Sequence, residues 1–274
     1  MIIDSHQHFW KYNPVRDAWI DESMEVIRRD FLPKDLKPIL NNNGVDGCIA
    51  IQADQSEHET DFLLNCAKEN PFIKGVVGWV DLRADNVEER LAYYSQNKQL
   101  KGIRHIVQAE NNDFVLQADF QNGISKLEQF GLTYDLLVFP PQLEASIELV
   151  KAFPNQKFVL DHIAKPYIKD QKIEHWKTEI TALAKAPNVF CKLSGMVTEA
   201  DIKHWQPSDF KPYLDVVFKA FGTDRVMYGS DWPVCLLGAS YSQVLKIVTD
   251  YISEFSDTEK AKILGGNALN FYNF

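Results

Sequence analysis

The sequence predicts a parallel (β/α)8 barrel, and three observations carry that expectation. Eight short runs rich in Val, Ile and Leu recur along the chain, their starts roughly 25 to 45 residues apart, about one βα unit each. A helix-like segment lies between successive runs, and alternation of this kind builds parallel sheets. Several runs are apolar throughout instead of alternating, as strands covered on both faces are. A doubly wound open sheet shows the same alternation, but no GxGxxG follows the first run, which counts against its usual dinucleotide-binding form.

Taken in order, the strands are expected at Met1–Ser5, Val45–Gln52, Ile73–Val80, Leu100–Val107, Leu132–Val138, Lys157–Leu160, Val189–Leu193 and Arg225–Tyr228. Most begin after a Gly, Pro or Asn that ends the preceding element. The helices are expected at Asp35–Asn43, His58–Asn70, Val87–Asn97, Gly123–Phe130, Pro141–Phe153, Glu174–Lys185, Pro212–Phe221 and Ser242–Phe255. No Ser/Gly-rich linker, charge block or low-complexity tract interrupts the series, so residues 1–274 read as one domain. The longest insertion, Phe9–Phe31, carries Trp10, Tyr12, Trp19 and Arg28. Its aromatic residues either pack locally or fold over the barrel mouth.

Composition narrows the function classes. With 45% hydrophobic and 24% charged residues the chain has ample material for a large core. A net charge of -9 and the lack of any basic run exclude a nucleic-acid partner on electrostatic grounds. No apolar stretch reaches the ~18 residues of a membrane span, and residues 1–10 lack a basic signal region, so a cytoplasmic location is expected. The cysteines Cys48, Cys66, Cys191 and Cys235 are widely spaced with no CxxC pair, and are expected reduced and buried.

Barrels of this class assemble their chemistry where strands end and βα loops begin. Those positions hold Asp4, His6 and His8, then Gln52, Asp81, Arg104 with His105, Tyr134 with Asp135, Asp161 with His162, Lys192 with Ser194, and Asp231. His6 and His8 are two residues apart, and the strand period turns both imidazoles to the same side, able to hold a metal or a carbonyl oxygen. His162 ends the sixth run, with Asp161 and Lys165 as groups that could fix its tautomer or orient substrate. Asp231 could take a proton from water, bind a cation, or simply cap the next helix.

At these residues the sequence resembles the amidohydrolase superfamily, in its branch of sugar-lactone hydrolases related to L-fuconolactonase and L-rhamnonolactonase. The motifs are DSHQHFW (4–10), LKGIRHIVQ (100–108), LTYDLLVFP (132–140), FVLDHIAKP (158–166), CKLSGM (191–196) and YGSDWPV (228–234), which together span nearly the whole chain. The resemblance implies opening of a small-molecule sugar lactone in carbohydrate metabolism, with His6, His8, His162 and Asp231 as catalytic residues. Arg104, His105, Tyr134, Lys165 and Trp232 are expected around the substrate. A bound metal, zinc by preference, would take His6, His8, Asp231 and His162. Superfamily members with a firmly held metal commonly carry a histidine on the fifth strand, which Leu132–Pro140 lacks, so one divalent cation and metal-free chemistry both stay open. The same barrel site in other members decarboxylates or hydrates acidic substrates, the alternative reaction.

Overall fold

The computed structural model describes residues 1–274 as eight parallel strands paired in sequence order and wrapped by helices. The strands are β1 Ile3–Gln7, β2 Gly47–Ile51, β3 Ile73–Gly78, β4 Leu100–His105, β5 Thr133–Leu136, β6 Phe158–Leu160, β7 Val189–Leu193 and β8 Val226–Tyr228. All eight expected runs form strands. The first begins two residues later than expected and therefore takes in His6.

Seven neighbouring pairs form parallel ladders, with register shifts in the first three, whereas β1 and β8 share one isolated bridge, Gln7 with Trp232. Other bonds close this seam. His8 N donates to Trp232 O at 2.7 Å, Asp231 N to His6 O at 2.8 Å, and Ser5 Oγ to Tyr228 O at 2.6 Å. The buried Asp4 carboxylate accepts from Ser230 N (2.8 Å), Ser230 Oγ (2.6 Å) and Tyr241 Oη (3.1 Å).

The helices are α1 Pro33–Asn42, α2 Glu57–Glu69, α3 Val87–Tyr94, α4 Ala118–Leu127, α5 Leu143–Ala152, α6 Glu174–Leu183, the short α7 Met196–Glu199, α8 Pro207–Phe221, α9 Tyr241–Tyr251, α10 Asp257–Ala261 and α11 Asn267–Phe271. Two start a full five residues earlier than expected. Helix α8 begins at Pro207, since proline in a first turn removes no bond the helix needs, and it then tolerates Pro212 inside. Helix α4 begins at Ala118 and carries Gly123 in its middle, where a Cβ would lie 2.2 Å from Leu82 O. There the glycine permits close helix-to-loop approach.

One large apolar cluster fills the space between sheet and helices. A smaller one crosses the barrel axis through Ile3, Ile49, Ile51, Val77, Val159 and Met227, with Phe271 and Tyr272 of the C-terminal tail. That tail lies at the strands' N-terminal ends, where Lys101 Nζ donates to Asn273 O at 3.0 Å and Lys157 Nζ to Phe271 O at 3.4 Å. The insertion Phe9–Phe31 is tied back on itself by two backbone bonds of 2.9 Å between Trp10 and Phe31. Trp10, Phe31, Phe9 and Trp232 then pack edge to face. All four cysteines are buried and free, and no helix is long and apolar enough to cross a membrane.

Because Gly123 faces Leu82 backbone, Gly123→Ala should destabilise the fold by about 1–3 kcal/mol through overpacking, against the ~1 kcal/mol that alanine normally adds to a helix. Urea unfolding measures the difference, and a more stable variant would show that α4 can withdraw from Leu82.

Candidate active site

The C-terminal ends of the strands surround a cavity of about 330 Å³. His8, Arg104, His162, Lys165 and Asp231 line its polar side, while Trp10, Trp19, Ala53, Ile106, Leu137 and Val234 line the apolar side. The insertion after β1 thus supplies Trp10 and Trp19 to the mouth.

His6 and His8 project together from β1, their Nε2 atoms 3.2 Å apart. Asp231, from the other bank of the seam, brings Oδ1 to 3.3 Å from His8 Nε2 and 3.9 Å from His6 Nε2. His162 Nε2 stands 3.8 Å from the same oxygen. The expected constellation is therefore assembled around one carboxylate, all four side chains being buried.

Each histidine has a partner on its remote nitrogen. His8 Nδ1 lies 2.9 Å from Ile51 O, and a carbonyl only accepts, so Nδ1 carries the hydrogen and Nε2 the lone pair. His162 Nδ1 faces Ser194 Oγ at 2.9 Å. Asp161 turns away from its neighbour His162 and reaches His6 Nδ1 at 3.3 Å and Arg104 Nη1 at 3.1 Å. Arg104 is fastened in turn by Gln52, whose Oε1 accepts from Nε at 3.1 Å and whose backbone oxygen accepts from Nη2.

Burial dominates the electrostatics. It pushes the His6 and His162 imidazoles well below their ordinary range, so both are neutral. Burial works to raise the Asp231 carboxyl, yet His162 and His8 beside it bring it below its usual value. Two carboxylates, Asp161 and Asp135, share the Lys192 ammonium. Asp161 is held well down, since Lys192, His6 and Arg104 outweigh its burial, whereas burial pushes Asp135 up to about 6.

The donor set fits a single divalent cation. His6, His8 and Asp231 offer ligand atoms within 4.8 Å of one another, and His6, Asp161 and His162 form an overlapping group. Arg104 and Lys192 pair with Asp161 and Asp135, which leaves the Asp231 carboxylate facing the three imidazoles. A buried carboxylate so placed calls for a cation or a proton beside it. On β5 the inward position belongs to Asp135, with no histidine on that strand.

Of the five side chains expected around substrate, Arg104 and Lys165 line the cavity and three do not. His105 follows Arg104 on β4 and so points to the other face, where it stacks on Phe114 and pairs with Glu110 Oε1 at 3.0 Å. Tyr134 precedes Asp135 and likewise faces outward, between Phe120 and Phe158. Trp232 is buried against Phe31 beneath the insertion. Asp81, also expected at the mouth, is exposed and holds the Arg83 amide at 3.0 Å.

The turn carrying His162 is unusual. His162, Ile163, Ala164 and Lys165 all adopt left-handed backbone, with φ of 55°, 48°, 60° and 48°. Such geometry costs roughly 1–2 kcal/mol per non-glycine residue. It directs His162 to Asp231 and Lys165 into the cavity, where the ammonium lies 3.3 Å from Glu199 Oε1. Gly195, at φ 65°, makes room, for a Cβ there would stand 2.5 Å from His162 Nδ1.

A closed parallel barrel with imidazoles and one carboxylate converging at its C-terminal mouth defines a barrel hydrolase of the superfamily that the motifs resemble. The chain belongs to the amidohydrolase family, whose sequence profile matches residues 3–274. It is 40% identical to an L-fucono-1,5-lactonase of Burkholderia multivorans over 98% of this chain and 95% of that one. An L-fucono-1,5-lactonase of Burkholderia ambifaria is 34% identical over 98% and 94% of the two chains. A solved structure of an amidohydrolase from Burkholderia multivorans with bound zinc superposes with a TM-score of 0.95, at 40% identity and 99% coverage of both chains.

Gly195→Ala should displace His162 and lower kcat/KM by about 10²-fold, the effect of misplacing a catalytic group by around 1 Å. Steady-state kinetics on the alanine variant test this, and unchanged kcat/KM would remove His162 from the reaction.

Proposed function

We propose that this enzyme opens a sugar-derived lactone, an aldonolactone of the L-fuconolactone or L-rhamnonolactone type, by attack of water on the ester carbonyl. The observation that carries the reading is Asp231: a buried carboxylate kept ionised, bordering a small-molecule cavity, with imidazoles as its neighbours. The likeness to two L-fucono-1,5-lactonases supports the substrate class.

In this reading Asp231 accepts a proton from water as the water oxygen bonds to the carbonyl carbon. Arg104 and His162 border the position of the carbonyl oxygen and stabilise the negative charge that grows on it. Collapse of the tetrahedral centre breaks the ring C–O bond, and the departing alkoxide takes the proton back from Asp231. Lys165, held by Glu199, orients the hydroxyl groups of the ring. His6, His8 and Asp231 would hold one divalent cation, zinc as in the solved relative, with His162 beside it, and such an ion supplies Lewis-acid polarisation.

Asp231→Asn should keep the fold and lower kcat by about 10² or more, since a positioned base is worth 10²–10⁴-fold. Proton release from a panel of aldonolactones reads the rate. Near-wild-type turnover would remove Asp231 from the mechanism, and a collapse in melting temperature would make it structural.

Metal analysis of the purified protein should find no more than one equivalent of divalent ion per chain, with His6→Ala/His8→Ala losing both the ion and the activity. Two tightly bound equivalents would contradict the single site.

A further inference from the structure

Beyond β4 the chain makes a tight turn, Val107–Ala109, at the wall of the cavity, and groups from outside the turn fix its backbone. Gln55 Oε1 accepts from Ile106 N at 2.7 Å, and Leu137 O accepts from Gln108 N at 3.0 Å. The buried Gln142 donates from Nε2 to Val107 O at 2.7 Å and to Glu110 O at 3.1 Å. Two glutamine amides are thus occupied in holding the turn. A third glutamine, Gln108, stands on the turn and lines the cavity, and its side-chain Oε1 is buried and meets no donor.

The other polar side chains of the cavity have partners. Arg104 is bound by Asp161 and Gln52, Lys165 lies against Glu199, His8 and His162 face Ile51 O and Ser194 Oγ, and Asp231 meets the imidazoles. An acceptor buried without a donor is costly, and a ligand that brings an O–H or N–H recovers that cost. The lining around Gln108 is apolar: Ile106 and Ala109 flank it in the chain, and Leu137 lies across its backbone bond. In a barrel whose strands follow sequence order, β4 stands opposite β8, so Gln108 and Asp231 approach a bound ring from opposite sides. An aldonolactone with its carbonyl at Asp231 therefore presents the hydroxyl-bearing carbons remote from the carbonyl to Gln108.

We propose that Gln108 is a specificity-determining residue, whose Oε1 accepts a hydrogen bond from a ring hydroxyl remote from the carbonyl and so selects lactones by the presence and configuration of that hydroxyl. The assignment rests on the lactone reading of the site.

The test compares kcat/KM of wild type and Gln108→Leu on the aldonolactone that wild type opens fastest, and on its analogues with one ring hydroxyl removed or inverted at a time. Leucine keeps an apolar side chain of similar size and deletes the amide. For wild type, removal of one hydroxyl remote from the carbonyl should lower kcat/KM by about 10- to 100-fold, because the analogue leaves a buried acceptor unmatched. Gln108→Leu should lose a similar factor on the parent lactone and nothing further on that analogue, since two changes that remove one contact do not add. Its melting temperature should hold or rise, an apolar group being no worse there than an unmatched oxygen. Gln108→Met, which keeps the unbranched chain, decides the matter if Gln108→Leu does not fold. A folded variant that discriminates among the analogues as wild type does would overturn the assignment, leaving Oε1 to water or to a structural role. A wild type that opens no aldonolactone would overturn the proposed function and the assignment with it, whereas unchanged discrimination in an active variant overturns the assignment alone.

Discussion

The seam between β1 and β8 is the constraint on which the site depends. Seven of the eight strand junctions are parallel ladders. The eighth is held by a single bridge and by side chains. Asp4 is the fastener, a fully buried carboxylate that meets Ser230 and Tyr241 and is still pushed up to about 6 by burial. Keeping an ionisable group there is costly, and a second ladder would have been a cheaper closure. A regular ladder, however, would have continued the pleat through His6, His8 and Asp231. The irregular seam instead lets His6 O receive the Asp231 amide while both side chains turn to one point.

The charges below that point follow from the same economy of space. Buried ion pairs seldom add net stability, because desolvation cancels most of the attraction, but removing one partner of such a pair costs about 3–5 kcal/mol. The network of Arg104, Asp161, Lys192, Asp135 and Tyr272 is therefore better understood as a device for orientation than as a source of stability. It ties β4, β5, β6, β7 and the C-terminal tail to the remote nitrogen of one histidine. Asp231 stays outside that pairing, and its nearest partners are the imidazoles of His6, His8 and His162.

Much of this was legible in the sequence. The eight strands, the paired imidazoles of His6 and His8, and the convergence of His162 and Asp231 followed from periodicity, from barrel geometry and from the resemblance. The failures share a physical cause. Alternation says that Arg104 and His105 face opposite ways, and likewise Tyr134 and Asp135, but it does not say which of each pair faces the barrel axis; the pairing of Arg104 with Asp161 and of Asp135 with Lys192 decides that. Asp161 was paired with its neighbour His162 in the sequence and meets His6 in space, a contact across 155 residues that no local pattern encodes. The left-handed turn at His162–Lys165 is not legible in the sequence because none of its four residues is a glycine, and of the types enriched in such backbone it holds only His162.

That turn also explains how the cavity comes to have two unlike sides. A strand that ended in an ordinary right-handed turn would carry His162 and Lys165 away along the next helix. Four successive left-handed residues fold them back over the barrel axis, opposite the apolar wall of Trp10, Trp19, Ile106 and Leu137. At about 330 Å³ the space lies near the lower end of small-molecule sites, roughly 300–1,000 Å³, so one compact ring fits and an oligomer does not. Such a ring, seated against the apolar wall, displaces water from the carboxylate and imidazoles, and their interactions with the carbonyl then act in a medium of low dielectric where they are strongest. The turn keeps its left-handed backbone without a glycine, which indicates that the surrounding packing, including the space left by Gly195, over-determines the conformation.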